Sequence, residues 1–298
     1  MTHFPEYLKT YPNMDTSSPL HIKVNRLHNG YRAHRHDYLE FSYVLEGSGS
    51  EVINNVRHPM IPGTFTFVLP YQVHEIFTDP GSTLVLFNCE FSMDLLMEPG
   101  QQGDLSSLIQ DFHSLQSYAQ FEGSHMARME MLIKDMHEAY NGDELWRRTF
   151  LQIKLKEILI RFDRYRRSSE AAPVSDVRDV RQPSKVSAST WPIIHYIHRN
   201  YQEELTLSDL AAKFSMSMSR ISEVIKQTTG QTFVHFLHDL RLRHACSLLV
   251  STDMSVIEIA HEVGYGSYKT FSHIFRETKG LPPKDYRKLK VAMGGSEA

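Results

Sequence analysis

The sequence has very little cysteine, with only Cys89 and Cys246 in 298 residues. Two thiols are too few for a disulfide framework or for a zinc site made of cysteine ligands, and such scarcity is typical of proteins in a reducing compartment. Long apolar runs are also absent, since none approaches the ~18 residues of a membrane-spanning helix. The first residues lack the basic segment and apolar core of a secretory signal, so we expect a cytoplasmic protein.

A large excess of positive charge, the usual mark of a nucleic-acid-binding protein, is missing as well. The 32 Lys and Arg are outnumbered by 35 Asp and Glu, which gives a net charge of −3. The average hides an asymmetry, because residues 187–298 carry +2 and the rest of the chain carries −5. This mild polarity permits DNA binding by the C-terminal part without establishing it.

Short runs of β-branched and aromatic residues fill much of residues 1–92 and predict strands separated by turn residues. The predicted strands are Phe41–Leu45, Glu51–Ile53, Thr64–Leu69 and Leu84–Phe87. Many short strands with regular turns predict a closed β-architecture such as a jelly roll. Residues up to about Gly30 contain three prolines and are expected to form an arm or a first strand.

Residues 93–167 change to a helical pattern. Apolar residues recur at helical spacing from Met126 to Tyr140 and from Phe150 to Phe162, on either side of a turn at Asn141-Gly142-Asp143. Two helices joined by a short turn make a helical hairpin, which either caps the β-domain or supplies a dimerisation surface. Residues 168–189 are rich in Ser, Pro, Ala and charge, and this composition predicts a linker.

Residues 190–298 predict a helical domain in which one plan occurs twice. The first unit pairs Leu207–Phe214 with Met218–Thr229 across a three-residue turn, and the second pairs Val256–Val263 with a helix that begins after Ser267. A long helix between the units could hold their second helices roughly 34 Å apart, about one turn of DNA. The predicted fold class is therefore α+β, with a β-barrel and helical hairpin before an all-α domain with two helix-turn-helix motifs.

Three stretches of the chain resemble a known family. The stretch Gly264–Lys288, GYGSYKTFSHIFRETKGLPPKDYRK, is similar to the signature of the AraC/XylS family of bacterial transcription regulators. The stretches HRHDYLEFSYVLEGSG and PMIPGTFTFVLPYQVHEI resemble the cupin-like sensing domain that begins many members. The resemblance implies a ligand-responsive regulator that binds double-stranded DNA at promoter half-sites and contacts RNA polymerase. It favours an activator of a carbohydrate operon, acting as a homodimer, with a sugar or sugar derivative as effector.

The family pattern also implies which residues contact DNA, because the second helix of each unit is the recognition helix. Its early, outward-facing residues are expected to meet the bases, although any one of them could belong to a merely solvated helix face. Glu223 and His273 depart from the pattern, since many members carry arginine at these positions. The candidates are Ser219, Arg220, Ser222, Glu223 and Lys226 in the first unit, and Tyr268, Lys269, Ser272, His273 and Arg276 in the second.

The motif His34-Arg-His36 followed by Glu40 is a candidate ligand site. A strand places residues i and i+2 on one face, so the three side chains would point together. Two imidazoles and a carboxylate suit a divalent metal. The cupin resemblance adds His74 as a fourth metal ligand, although Gln72 stands near the place where a glycine is usual.

Three interpretations of this motif stay open: a divalent metal site, a metal-free pocket for a polar effector, and structural hydrogen bonds in the β-turns. In the second interpretation the same groups line the mouth of the barrel. The effector-binding candidates are His34, His36, Glu40, Glu46, His74 and Asn88, with Glu90 on a neighbouring strand.

Two other functions compete with the ligand-responsive regulator. One is a metal-dependent cupin enzyme with a helical appendage, which the two helix-turn-helix units disfavour, as does the lack of a nucleophile–base set or a phosphate loop. The other is a regulator whose β-domain only dimerises. If an effector is sensed, we expect it to change how the arm, residues 1–30, and the hairpin pack, and so to shift the population of DNA-competent dimers.

Overall fold

The computed structural model describes residues 5–96 apart from 9, 15, 17 and 54, residue 105, residues 115–168 and residues 185–294. The chain divides into two compact units, of which the first holds the strands with the two helices after them, and the second takes in the helices from residue 185 onward. Most of the predicted linker, residues 169–184, lies outside the described residues. Its last residues, from Lys185, begin a helix instead. The sequence did not predict this start, because the small polar residues there show no apolar period.

The described part of the first unit contains ten β-strands in two five-stranded sheets. The first sheet has the order β1-β3-β8-β5-β6 and the second the order β10-β7-β4-β9-β2, so the chain crosses repeatedly between them. This arrangement is the predicted cupin-like jelly roll. The strands are β1 (Glu6–Leu8), β2 (Leu20–Leu27), β3 (Tyr31–His36), β4 (Leu39–Glu46), β5 (Gly49–Ile53), β6 (Val56–Met60), β7 (Thr64–Val68), β8 (His74–Thr78), β9 (Leu84–Phe91) and β10 (Tyr118–Gln120).

The expected arm is largely part of the sheets. Strand β2 pairs antiparallel with β9 along its whole length, from Leu20 opposite Phe91 to Leu27 opposite Leu84. Strand β1 pairs in parallel with β3. Of the two alternatives for residues 1–30, the structure therefore supports strands, because the alternating burial of β2 gives it an apolar face to pack.

The second sheet is buried on both faces, as every residue of β7 and β9 shows. Successive side chains of a strand point to opposite faces. On β4, Glu40 reaches His36 of the first sheet, inside the barrel. On β7, the ring of Phe65 lies 4.7 Å from that of Phe162, in the helices outside the barrel. The sheet thus separates the barrel interior, polar around Glu40, from an aromatic outer layer.

Two helices follow the strands as predicted, α1 (Gly123–Asn141) and α2 (Arg147–Arg167). Buried residues at helical spacing, such as Leu132 and Met136 on α1 and Leu155 and Phe162 on α2, form their inner face. This hairpin packs on the outer face of the second sheet, where the Phe162 ring lies 4.7 Å from that of Phe65. Its other face remains exposed.

The described second unit is helical throughout, and its boundaries agree closely with the sequence pattern. No helix among the described residues has both the length and the apolar character needed to cross a membrane. The helices are α3 (Lys185–Arg199), α4 (Leu207–Phe214), α5 (Met218–Thr229), α6 (Phe233–Ser251), α7 (Val256–Glu262), α8 (Tyr268–Lys279) and α9 (Pro283–Gly294).

Local capping explains why these boundaries were predictable. Thr206 and Asp209 exchange side-chain and backbone hydrogen bonds in a capping box at the start of α4, and Ser255 and Glu258 do the same for α7. Helix α6 has 19 residues and is therefore about 28 Å long. Its buried residues, including Cys246 and Leu249, pack in one core with α7, α8 and α9.

Candidate functional site

Three buried histidines meet inside the barrel. His34 and His36 share one face of β3 because they are two residues apart. Strand β8 pairs antiparallel with β3 and places His74 directly opposite His34. One ring nitrogen from each of the three lies within 4.8 Å of the others. The predicted histidine set is thus brought together by strand register.

The remaining ring nitrogen of each histidine is already engaged. Nδ1 of His34 lies 2.9 Å from the carbonyl oxygen of Arg32, and Nδ1 of His36 lies 2.8 Å from that of Tyr38. A carbonyl oxygen only accepts, so Nδ1 must carry the proton in both rings and Nε2 presents a lone pair. Nε2 of His36 is buried without a hydrogen-bond partner among the described residues. This is the ligand orientation that metal-binding histidines need.

Burial keeps two of these rings neutral. Desolvation, with a smaller contribution from His74, lowers the pKa of His34 to about 3. Desolvation and the neighbouring rings of His74 and His34 likewise lower the pKa of His36 well below its usual value. Neutral imidazole is the form that binds a metal or accepts a hydrogen bond from a hydroxyl group.

Glu51 on β5 was missing from the sequence-based set and proves to be central. Its Oε1 lies 2.9 Å from Nδ1 of His74, and its Oε2 lies 3.2 Å from Nε2 of His58. Burial alone would raise the pKa of Glu51, but the hydrogen bonds from His58 and His74 lower it. Burial alone would lower the pKa of His74, but Glu51 and Glu40 raise it. The sequence feature that could have indicated Glu51 is its position two residues before Ile53, which places this carboxylate on the inward face of a short strand.

The facing sheet contributes carboxylates and an amide. Glu40 Oε2 lies 3.4 Å from Nε2 of His36, and Glu40 Oε1 accepts a hydrogen bond of 2.7 Å from Asn88. Desolvation, with a smaller effect of Glu90, raises the pKa of Glu40 to about 7. Glu40 can therefore donate or accept a proton near neutral pH. Glu90 lies opposite it in register and pairs with Lys23 at 2.6 Å.

Two of the sequence-predicted ligands are placed differently from the expectation. Glu40 approaches His36 but does not belong to the cluster of three mutually close ring nitrogens. Glu46 is exposed at the far end of β4. It lies six positions along the strand from Glu40, about 20 Å, so it does not join the polar groups there. The interior near that end is apolar instead, with Val44, Leu84 and Leu86 in one cluster.

One end of the barrel interior is thus polar, with His34, His36 and His74 on one sheet and Glu40, Asn88 and Glu90 on the other. We call this set the polar chamber. Its groups offer neutral ring nitrogens, carboxylate oxygens and an amide. They suit a bound metal, a polyhydroxylated ligand, or both together.

The second unit contains two helix-turn-helix motifs, α4 with α5 and α7 with α8. In α5, Ile221, Val224 and Ile225 are buried, as are Phe271 and Phe275 in α8. The predicted DNA-contacting residues lie on the opposite faces. The exposed ones are Ser219, Glu223, Lys226, Tyr268, Lys269, His273 and Arg276, while Arg220, Ser222 and Ser272 are half-buried.

Two of these side chains have acidic neighbours on their own helix. Arg220 donates a 2.8 Å hydrogen bond to Glu223, which also accepts one from Gln227. His273 lies 3.5 Å from Glu277. The departure at Glu223 therefore has a structural consequence, because this carboxylate engages the arginine that is expected to meet DNA.

A polar chamber in a jelly roll, joined in one chain to two helix-turn-helix motifs, defines a ligand-responsive, DNA-binding transcription regulator. Family models agree with this class: the AraC-like ligand binding domain matches residues 24–149, and a helix-turn-helix domain matches residues 210–289. The chain therefore combines an AraC-like ligand binding domain with a helix-turn-helix domain.

Full-length relatives include the HTH-type transcriptional activator RhaS of Citrobacter koseri, which is 27% identical over 287 residues, 93% of this chain and 94% of the relative. RhaS of an Enterobacter species is 26% identical over 276 residues, 92% of this chain and 94% of the relative. Among solved structures, the C-terminal domain of AraT, a response regulator from Geobacillus stearothermophilus, is 34% identical with a TM-score of 0.34, covering 36% of this chain and 88% of that one.

Proposed function

We propose that the protein activates transcription of a carbohydrate-utilisation operon when a sugar or sugar derivative enters the polar chamber. The observation that carries this proposal is the set of six buried polar side chains in the polar chamber. Glu40, Glu90 and Asn88 offer hydrogen-bond acceptors to hydroxyl groups from one sheet, and neutral histidines do so from the other. The relatives that align along nearly the whole chain are named activators, which supports the direction of regulation.

The proposal is tested by ligand-dependent stabilisation of the purified protein. A panel of sugars and sugar acids is screened by thermal shift, and a ligand at 100 times its dissociation constant should add about 2.7 kcal/mol to the free energy of unfolding. A hit that Asn88→Leu abolishes supports the chamber as the site. If no sugar or sugar acid stabilises the protein, the alternative that the β-domain only dimerises gains support.

A divalent metal in the chamber is the second part of the proposal. His34, His36 and His74 fit a metal because each uses Nδ1 for another contact and leaves Nε2 for coordination. A zinc ion with three histidine ligands keeps an open position, at which it would polarise an oxygen of the ligand. Glu40 would then accept a hydrogen bond from that ligand rather than coordinate the metal.

The same three-histidine set is what a cupin enzyme would use, so this alternative rests on a specific observation. We favour binding over catalysis because the chain also carries two helix-turn-helix motifs, for which an enzyme has no use. Elemental analysis of protein purified without chelator decides on the metal. Turnover of a chamber ligand by the metal-loaded protein would favour the enzyme.

For DNA recognition, we propose that α5 and α8 enter successive major grooves through their exposed early residues. Helix α6 joins the two motifs and is about 28 Å long, comparable with one DNA turn. Lys226, Lys269 and Arg276 would neutralise phosphates, and Arg220 and Tyr268 would face base edges. The test is a shift of promoter DNA that weakens steeply as salt increases.

We propose further that the chain acts as a homodimer through the exposed face of α2. Trp146, Phe150, Ile153 and Ile160 follow one helical stripe and are 73%, 40%, 58% and 42% exposed. The other face of the hairpin is occupied by the second sheet, so this stripe is free for a second copy. A homodimer would present paired DNA-binding units to adjacent half-sites.

An activator must also contact RNA polymerase in the cytoplasm, where the promoter is. We propose that an outward face of the second unit makes this contact. Val234 on α6 and Ile257 on α7 are large apolar residues that remain 56% and 55% exposed there. Activation measured with and without Ile257→Asp, at unchanged DNA affinity, tests this assignment.

A further inference from the structure

A cleft outside the barrel lies in the first unit, between the start of α1 and the end of α2. Its volume is about 270 Å³, close to the lower end of the roughly 300–1,000 Å³ that small-molecule sites occupy. Phe121, Met129 and Tyr165 line it with buried apolar surface. No residue of the polar chamber lines it, so a molecule in this cleft would not contact the polar chamber.

The rim of this cleft is cationic. Arg128, Arg161 and Arg164 all line it and all are exposed. Glu157 holds two of them in place, with Oε1 at 2.8 Å from Nε of Arg161 and at 3.3 Å from a terminal nitrogen of Arg128. Because one carboxylate is shared by two guanidinium groups, the three side chains together carry a net charge of +1.

Arg164 adds a cation that the described residues do not neutralise. The nearby carboxylate of Asp163 is occupied by Arg166 and Arg167, each at 2.7 Å. No described carboxylate forms an ion pair with Arg164. The rim therefore combines two guanidinium groups fixed by Glu157 with a third that has donors to spare.

We propose that this cleft binds an amphipathic organic anion, with its carboxylate or phosphate on Arg161 and Arg164 and its apolar or aromatic body on Phe121, Met129 and Tyr165. Guanidinium groups bind such anions through paired N–H donors, and the aromatic rings accept a flat body. A DNA backbone offers phosphates but no apolar group for this floor, so a small molecule fits the cleft better.

The position of the cleft gives its occupant a structural effect. The Tyr165 hydroxyl donates to the carbonyl of Gln120 on β10 at 3.0 Å, and Arg166 donates to the carbonyl of Gln116 at 3.1 Å. An anion that fixes Tyr165 would stabilise this junction between the hairpin and the second sheet. The cleft would then serve as a second input, separate from the polar chamber.

Calorimetric titration of the full-length protein with phenyl phosphate tests the proposal. Chelator is present so that no metal in the barrel contributes, and inorganic phosphate and phenol are the reference ligands at equal ionic strength. We expect saturable binding of phenyl phosphate at least tenfold tighter than either reference. The variant Arg161→Gln/Arg164→Gln should weaken it at least about tenfold, the size expected for a lost charge-assisted hydrogen bond.

Arg148→Gln is the matched control, because Arg148 is exposed on the same helix and does not line the cleft. Arg164→Gln alone breaks no ion pair to a described carboxylate, so the test does not depend on the double variant being stable. Equal affinity of the wild type and the variants for phenyl phosphate, or no saturable binding by the wild type, overturns the proposal. Loss of promoter affinity in the double variant without phenyl phosphate binding also overturns it and assigns the rim to DNA.

Discussion

Glu51 and His74 lie on neighbouring strands, and a 2.9 Å hydrogen bond joins Oε1 of the carboxylate to Nδ1 of the ring. Because Glu51 also contacts His58, one buried carboxylate fixes two histidines at once. The bond leaves Nε2 of His74 directed to the chamber. The orientation of one of the three candidate metal ligands thus depends on a residue that would not itself bind the metal.

Glu51→Gln should weaken zinc binding by about 10- to 100-fold, as removal of such supporting partners does elsewhere. The glutamine amide is uncharged and has only one oxygen, so it cannot accept hydrogen bonds from both histidines as the carboxylate does. The ring of His74 then loses its fixed orientation. Competition with a chromogenic chelator measures the affinity. Glu46→Gln is the control, since Glu46 is exposed away from the cluster. Unchanged affinity in Glu51→Gln would contradict the supporting role, and a wild-type protein without zinc affinity would remove the metal proposal.

Lys269→Ala and Arg220→Ala should each weaken binding of promoter DNA. If Lys269 neutralises a phosphate, its loss reduces the slope of log affinity against log salt concentration by about 1. Arg220 must leave Glu223 to meet a base, so its removal should alter preference among sequences as well as affinity. Fluorescence anisotropy over a salt series measures both effects. Lys134→Ala, on the exposed surface of α1, should leave the curve unchanged, and normal binding by the Lys269/Arg220 double variant would refute the assignment of recognition helices.

Ile153→Asp should convert a dimer into monomers. A carboxylate in the middle of the apolar stripe would be buried without a partner in the dimer, whereas it is solvated in the monomer. Sedimentation equilibrium over a concentration series gives the association constant. Lys134→Asp changes the charge on α1 and should not alter it. A dimer of the same strength in Ile153→Asp would mean that the two chains meet elsewhere.

Gly264→Ala should destabilise the second unit by about 2 kcal/mol or more. Gly264 has φ of +89°, and an added Cβ would lie 2.6 Å from the carbonyl oxygen of Gln202. Both a left-handed backbone and a steric clash oppose alanine there. Gly266, two residues on in the same turn, is the control because an added Cβ meets nothing within 4 Å. Urea unfolding compares the two variants, and equal losses would contradict the steric argument.

His198 should make the stability of the second unit fall in acid. Desolvation, with smaller contributions from Arg243, His244 and His195, lowers its pKa well below the ordinary 6.5. Below pH 6.5 the unfolded chain therefore binds a proton that the folded chain does not, so stability is full above this pH and is lost as pH falls. The slope is about 1.4 kcal/mol per pH unit.

His198→Leu should flatten this dependence, while His261→Leu, at an exposed position of α7, should not. Unfolding is followed by circular dichroism in urea from pH 7.5 to pH 5. An identical slope in wild type and His198→Leu would show that other groups govern the acid response.

The elements of the second unit were predictable because their signals are local. Thr206 with Asp209 and Ser255 with Glu258 are three residues apart, so the sequence alone shows both capping boxes. The start of α3 was not predictable in this way. It begins at Lys185 in a stretch without an apolar period, so neither caps nor periodicity marked it.

The candidate site was predicted only in part, because some of its contacts join residues that are far apart in the sequence. His34 and His36 were found because their spacing matches one strand face, and the cupin resemblance supplied His74. Glu51 was missed, because its inward position on a short strand does not identify its partner. The contact with His74, 23 residues along the chain, depends on the pairing of β5 with β8. Glu46 lies away from the polar chamber, because it stands at the far end of β4 from Glu40.

Strands β4 and β9 are buried on both faces, and this limits which sequence changes the protein can accept during evolution. Alternate positions of the same strands serve two purposes, the proposed ligand site at Glu40 and Asn88 and the aromatic outer layer at Phe41 and Phe87. Point substitutions at the inward positions can therefore change ligand preference while the outer packing is inherited intact. A single-residue insertion would exchange the two sets of side chains and lose both at once. Among descendants of this chain, specificity should vary by substitution in these strands, and length should vary only in the turns.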